Sequence, residues 1–300
     1  MASSTPDSAS QPVADKAPGR TGVGRLRSIP APLRRFTTVL AALFLVGLIV
    51  TAVFAPALAP HDFAKQDLLN QLKPASAKHP LGTDEFGRDV ASRLIHGARV
   101  SLTVALGVEA IELLFGLVLG IAAGLRGGRL DNMLMRVTDL MFAFPDILLA
   151  ILITGTLGKN LFNVFMALAL VGWPGMVRLV RGQVLSLRER EFVESARALG
   201  ASNFRIGVRH LLPNLLGPVV VAATVGMGAI VLAESTLSFL GLGIQEPMPS
   251  WGSMINQAWK LRRSDPMLTV YPALLLALTI MAFNFLGDGL RDWLDPRSRA

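Results

Sequence analysis

The chain has 300 residues, 52% of them hydrophobic and only 17% charged, with a mean hydropathy of +0.50; a soluble domain carries about 25% charge, so this is an integral membrane protein. The formal net charge of +8 comes from basic residues clustered beside apolar runs, where they set topology, and nucleic acid is excluded as a partner. With no cysteine there are no disulfides, thiolate metal sites or cysteine nucleophiles, and the four scattered histidines, His61, His79, His96 and His210, lack ligand spacing, so no metal site is expected.

Residues 1–35 are rich in Ala, Ser, Pro and Gly and carry Lys16, Arg20, Arg25, Arg27, Arg34 and Arg35 without apolar periodicity, the pattern of a disordered basic tail. The apolar run 36–59 exceeds the 7–15 residues of a signal-peptide core and reaches the ~20 residues needed to cross ~30 Å of hydrocarbon, so it reads as an uncleaved first anchor. Five further spans follow at about 100–125, 133–157, 160–180, 215–243 and 267–288. All are read as helices, because they are continuously apolar where a barrel strand would alternate. Pro145 and Pro174 are expected to kink their spans, and Gly116, Gly120 and Gly124, at four-residue steps, form a face for close helix packing.

Arg126 and Arg129 lie between spans two and three, and Arg178, Arg181, Arg188, Arg190, Arg197, Arg205 and Arg209 crowd the connection between four and five. With the basic tail and Arg291, Arg297 and Arg299 at the other end, the positive-inside rule places both termini and these two loops in the cytoplasm. Residues 60–99 and 245–265 then face outward. The segment 79–99 mixes turn residues with Val90, Leu94 and Ala98 at helical spacing and reads as an interfacial helix leading into span two, or as a contact or gate on that face. Trp251 and Trp259 are suited to anchoring the last outward loop at the interface.

The connection between spans four and five is charged and helix-prone. Phe192, Ala196 and Leu199 share one helical face, Gly200 supplies the positive φ that ends a helix, and Ser202 is suited to N-cap a second one, with Phe204, Val208 and Leu211 or Leu212 as its stripe and Pro213 as its stop. Periodicity alone leaves two readings: an amphipathic hairpin lying on anionic lipid, or a docking element for a cytoplasmic partner. The order Glu194-Ser195-Ala196, Gly200, His210-Leu211-Leu212-Pro213 resembles the EAA loop of ABC importer permeases, with Ser195 in place of the usual Ala and His210 at the usual isoleucine position. Further blocks, HPLGTDEFGRDVASRLIHGARVSL at 79–102, RVTDLMFAFPDILLAI at 136–151, ESTLSFLGLGIQEPMPSWG at 234–252 and FNFLGDGLRDWLDPR at 283–297, are similar to the second permease subunit, the DppC/OppC type, of the dipeptide/oligopeptide permease family. One departure is Glu246, where that pattern has proline.

The resemblance implies an all-α polytopic membrane protein of the type I ABC importer permease fold, with about six transmembrane helices and its core at 100–297, in a bacterial inner membrane. It implies a non-catalytic subunit that imports dipeptides or short oligopeptides, with nickel complexes, glutathione or haem as alternative cargoes. The implied partners are a homologous DppB/OppB-type permease, two ABC ATPase subunits and an extracytoplasmic substrate-binding protein. ATP and Mg would reside on the ATPases, and this chain needs no cofactor. The nearest P-loop candidate, ITGTLGKN, has Ile153 where the first glycine belongs and Asn160 where Ser or Thr would bind magnesium. Glu194, Ser195, Ala196, Gly200, Leu212 and Pro213, within the hairpin 188–213, would couple to the ATPases.

Intramembrane Glu109, Glu112, Asp146 and Glu234 would be expensive facing lipid; the three glutamates either line a translocation path that attracts a peptide amino terminus or serve structure. Arg136 is expected to pair with Asp139 at i, i+3. The competing class is a homodimeric gradient-driven transporter working through those same glutamates.

Overall fold

The computed structural model describes residues 31–294, and the regular structure among them is helical apart from one isolated bridge between Thr83 and Asp89. Most of the basic tail, and Arg297 and Arg299, lie outside the described residues. Helix α1 (Ala31–Val53) begins before the expected anchor, so residues 31–35 are helical and not part of a tail. A break at Phe54 separates it from the short α2 (Ala55–Leu58), with Pro56 in its first turn, where a missing N–H costs nothing.

The second span, α3 (Val90–Arg126), is one unbroken helix of 37 residues. At 1.5 Å per residue it is about 55 Å long, well beyond the ~30 Å hydrocarbon core. Residues 90–99 are therefore its first turns and not a separate interfacial helix. Its small-residue face meets α6 (Leu161–Leu187): a β-carbon on Gly116 would lie 2.8 Å from Met176 Cβ, and one on Gly120 2.7 Å from Val180 Cβ. Gly124 meets Val184 in the same way. These contacts advance together along both sequences, so α3 and α6 run parallel, and the chain must cross back between them.

The return crossing is made by α4 (Gly128–Phe142) and α5 (Asp146–Leu157), which bend by 82° at the intervening break. The single continuous span expected at 133–157 is thus corrected to a broken one. Pro145, at the N-cap of α5, cannot donate into a helix through Phe142, and the first half is too polar to lie in lipid all round. Five helices are long and apolar enough to cross a membrane, and the bent pair makes six. Pro174, by contrast, is buried within an unbroken α6.

The expected Arg136–Asp139 pair is replaced by ties between elements: Arg178 of α6 bonds Asp139 and lies 4.3 Å over the Phe142 ring, and Arg181 grips Asp131, with Nη2 2.7 Å from Oδ2. An i, i+3 pair on one exposed helix face gains little, whereas bridging two helices also fixes α4 against α6.

Helix α9 (Leu212–Phe239) runs antiparallel to α3, and α11 (Met267–Leu294) antiparallel to α9, since Gly228 abuts Phe283 while Gly287 abuts Val225. Thr38 of α1 reaches the Phe285 carbonyl at 3.5 Å, placing both ends of the described chain at one end of the bundle. At the other end, the 60–89 segment packs beside α10 (Trp251–Trp259). Trp251 is fully buried, its Nε1 donating to the Leu94 carbonyl at 3.2 Å, so it is a core residue and not an interfacial anchor. Trp259 is the exposed one, stacked under the Arg262 guanidinium.

Against Gln257 of α10 lie Arg88 and Arg93, each 1% exposed. Arg88 Nε donates to Asp84 Oδ2 at 2.7 Å, and its Nη1 donates to Glu246; Arg93 Nη2 donates to Glu246 Oε1 at 3.2 Å. Glu246 also accepts from Gln257. The residue that departs from the family pattern thus joins Asp84 in balancing two buried guanidinium groups and ties residues 88 and 93 to a loop more than 150 residues away in sequence.

Candidate functional site: a hairpin and an acidic cleft

Helix α7 (Glu191–Ala198) ends in a Schellman turn: Ala201 N–H donates to the Ala196 carbonyl and Gly200 N–H to the Arg197 carbonyl, both at 3.0 Å, with Gly200 at φ +82°. A β-carbon at Gly200 would meet nothing within 4 Å, so backbone conformation, not crowding, is what calls for glycine there. Ser202 Oγ then accepts from Arg205 N–H at 3.3 Å and caps the next element. That element is not a separate short helix. It passes through α8 (Asn203–Arg205) and a six-residue π-helical segment, Ile206–Leu211, directly into α9. Pro213 does not stop it, because the proline falls in the first turn of α9, where its absent N–H is tolerated, after the π segment has already shifted the hydrogen-bond register.

The faces also differ from the expected ones. Val193, Ala196, Ile206 and Leu211 are buried and join Val180 and Val184 of α6 in one apolar cluster. Leu199 and Phe204, assigned to the two apolar stripes, are 89% and 80% exposed at the tip. Of the six coupling candidates, Glu194, Ser195, Gly200 and Pro213 are exposed, Leu212 is half-buried, and Ala196 is buried in the hairpin's own core. The tip therefore offers two large apolar side chains on a base welded to α6 and α9.

Deeper in the bundle, Glu109 is 1% exposed, and neither of its carboxylate oxygens has a hydrogen-bond partner among the described residues. It faces Gly226 of α9, where a β-carbon would fall 2.5 Å from Oε2. Gly226 also lines a cleft of about 190 Å³ with Glu112, Asp146, Gly172 and Ala233. The bend before α5 brings Asp146, its first residue, to that cleft. Two glutamates and an aspartate from α3 and α5 thus gather where glycines of α6 and α9 leave room.

Residues 116–300 match the family model described as the binding-protein-dependent transport system inner membrane component. The chain belongs to that family. It is 41% identical over 297 residues, 99% of this chain and 97% of the other, to the dipeptide transport system permease protein DppC of Alkalihalophilus pseudofirmus. It is 38% identical to the oligopeptide transport system permease protein OppC of Bacillus subtilis, covering 86% and 84% of the two chains. Against the glutathione transport system permease protein GsiD of Pectobacterium atrosepticum the identity is 42%, over 89% of each chain. The fold is similar to that of the methionine ABC transporter MetNI in an inward-facing conformation, with a TM-score of 0.57 at 19% identity over 68% of this chain and 96% of that one. This is a multi-span helical permease subunit of the bacterial inner membrane.

Within this inner membrane component, Glu234 stands apart from the other two glutamates. It is fully buried and accepts from Ser101 Oγ at 3.0 Å and Ser238 Oγ at 2.7 Å, with Ser235 Oγ at 3.4 Å. That serine cage joins α9 to α3 and satisfies the carboxylate without any outside group. Asp146, expected with the glutamates to face away from lipid, reaches the same cleft because the bend directly after Phe-Pro at 144–145 turns it inward. Nothing in the spacing of His61, His79 and Asp89 announced that their ligand atoms would lie within 4.8 Å of one another.

Proposed function

We propose that this chain is one of two permease subunits of an ABC importer for dipeptides or short oligopeptides, delivered by a substrate-binding protein and powered by two separate ATPases. The observation carrying the cargo reading is the 41% identity across 99% of the chain to a dipeptide permease. The exposed Leu199 and Phe204, flanking Gly200, support the hairpin as the ATPase contact. Both ends of the described chain and the hairpin share one end of the bundle, which fits a cytoplasmic location for all three. The α7 base packs on α6 and continues into α9, so closure of an ATPase around the tip would move those spans as rigid bodies. Only a partner whose ATP-bound form prefers one arrangement of the spans would drive transport that way. Glu109, Glu112 and Asp146 would give the path a negative wall suited to a peptide ammonium group.

The test is to purify the tagged chain from gently solubilised native membranes, identify what stays with it, and measure uptake by the reconstituted assembly. A second permease and one or two ATPases, with ATP-dependent uptake of a labelled dipeptide, are expected. The chain alone or as a homodimer, under conditions preserving a known ABC complex, refutes the reading. Glutathione is the second cargo, favoured by the 42% identity to GsiD; uptake of glutathione unaffected by excess dipeptide would select it.

A further inference from the structure

We propose that His61, His79 and Asp89 form a binding site for a divalent transition-metal ion of the Zn²⁺ type, at the end of the bundle opposite the hairpin. Asp89 opens α3, and its two oxygens do different work. Oδ2 caps the helix, accepting from Ser92 N–H at 2.8 Å and Ser92 Oγ–H at 2.7 Å. Oδ1 takes no part in the cap and faces the two histidines, 2.9 Å from His79 Nδ1 and 3.8 Å from His61 Nδ1. For metal–ligand bonds of 2.0–2.1 Å, the edge of a tetrahedron is about 3.3 Å, between those two separations. The imidazoles are stacked, with centroids 4.6 Å apart, and one candidate ligand atom from each of the three residues lies within 4.8 Å of the others.

Capping and stacking leave one atom unexplained. His61 Nδ1 is shielded from water and has no hydrogen-bond partner, and buried polar groups are normally satisfied. An ion between the three groups would use that lone pair. It would take the place of the proton between His79 Nδ1 and Asp89 Oδ1, the neutral imidazole then carrying its one proton on Nε2 so that the Nδ1 lone pair is free to ligate. The His61 and His79 side chains remain 30% and 15% exposed, which leaves the ion a way in from solvent. Two imidazoles and one carboxylate suit Zn²⁺ and its neighbours and not the all-oxygen shells of Ca²⁺ or Mg²⁺. The ion would fasten residue 61, just past α2, to the first turn of α3, closing the loop between them.

The experiment uses the purified, chelator-treated permease in its native assembly, titrated with Co²⁺ as a spectroscopic stand-in and then with Zn²⁺. One equivalent of Co²⁺ with the intense visible absorption of tetrahedral coordination, displaced by Zn²⁺, is expected, together with a Zn²⁺-dependent rise in the unfolding temperature. His61→Phe keeps the ring packing and the backbone N–H bond to Ser92 Oγ but removes the ligand atom. Since even outer-shell changes cost 10–100-fold in metal affinity, it should weaken binding by about a hundredfold or more, whereas His96→Phe should leave binding intact. A wild-type spectrum showing only weak six-coordinate cobalt overturns the proposal without any variant. Equal Zn²⁺ affinity in His61→Phe, or in His61→Gln should the first variant fold poorly, overturns it as well.

Discussion

Replacing Leu199 and Phe204 together by alanine isolates the hairpin tip from the rest of the fold. The two side chains are 89% and 80% exposed and lie outside the buried clusters, so their loss should change the stability of the chain by no more than ~0.5 kcal/mol. Burying a Leu or Phe side chain fully is worth about 1.5–3 kcal/mol. If an ATPase cleft covers most of what is now exposed, the pair contributes about 2–4 kcal/mol to docking, or a loss of roughly 30- to 1000-fold in affinity on truncation. Co-purification of ATPase with the tagged permease, and substrate-stimulated ATP hydrolysis in lipid nanodiscs, read that loss directly. An unfolding temperature matching wild type beside a collapse of both signals is the expected pattern. Wild-type retention of ATPase and normal stimulation would show that the tip touches lipid or water and would refute the docking argument.

Gly200→Pro should leave the chain inserted in the membrane yet abolish uptake, because proline cannot adopt φ +82° and lacks the N–H that closes on Arg197; normal uptake by this variant rules out a coupling role for the turn. Glu109→Gln with Glu112→Gln should lower dipeptide uptake by about tenfold or more while assembly, followed by size-exclusion chromatography, is retained, since a bare buried carboxylate next to a cleft marks function more often than packing. If uptake and assembly are both unchanged, the pair does not line the path. Glu246→Ala leaves Arg88 and Arg93 buried with Asp84 as their remaining carboxylate. Breaking a fully buried pair costs about 3–5 kcal/mol, and the partial exposure of Glu246 reduces this to about 1–3 kcal/mol. At roughly 2–4 °C per kcal/mol, the unfolding temperature should fall by about 2–12 °C, and an unchanged one would mean that Asp84 and Gln257 suffice.

Membrane insertion, the helical class and the number of crossings were legible because lipid leaves the backbone few options: a run long and apolar enough to cross must be helical. Gly116, Gly120 and Gly124 likewise announced a packing face, since only small residues at four-residue steps bring helix axes close. The Schellman turn at Gly200 and the cap at Ser202 were legible for the same reason, as both depend on hydrogen bonds within a few residues.

What failed was inference about which side of an element meets what. On α7 the face chosen by apolar count, Phe192–Ala196–Leu199, lost to Val193–Ala196, because the position of α6 and not the helix's own pattern determines which face is covered. Arg136 and Asp139, neighbours in sequence, were separated by the stronger geometric fit of Arg178 across the gap between helices. Pro145 suggested a kink, but the 82° bend that delivers Asp146 to the cleft depends on α4 being held down by Arg178 and Arg181.

By itself, then, the sequence determined the elements of this permease and their relation to the bilayer, because backbone hydrogen bonding and hydrophobic transfer act locally along the chain. Only the tertiary structure decided which polar groups meet: Glu246 with Arg88 and Arg93, Glu234 with Ser101, His61 and His79 with Asp89. Those encounters join residues from 10 to more than 150 positions apart, and no local periodicity encodes them; they are set by the packing of helices whose register is decided elsewhere in the chain.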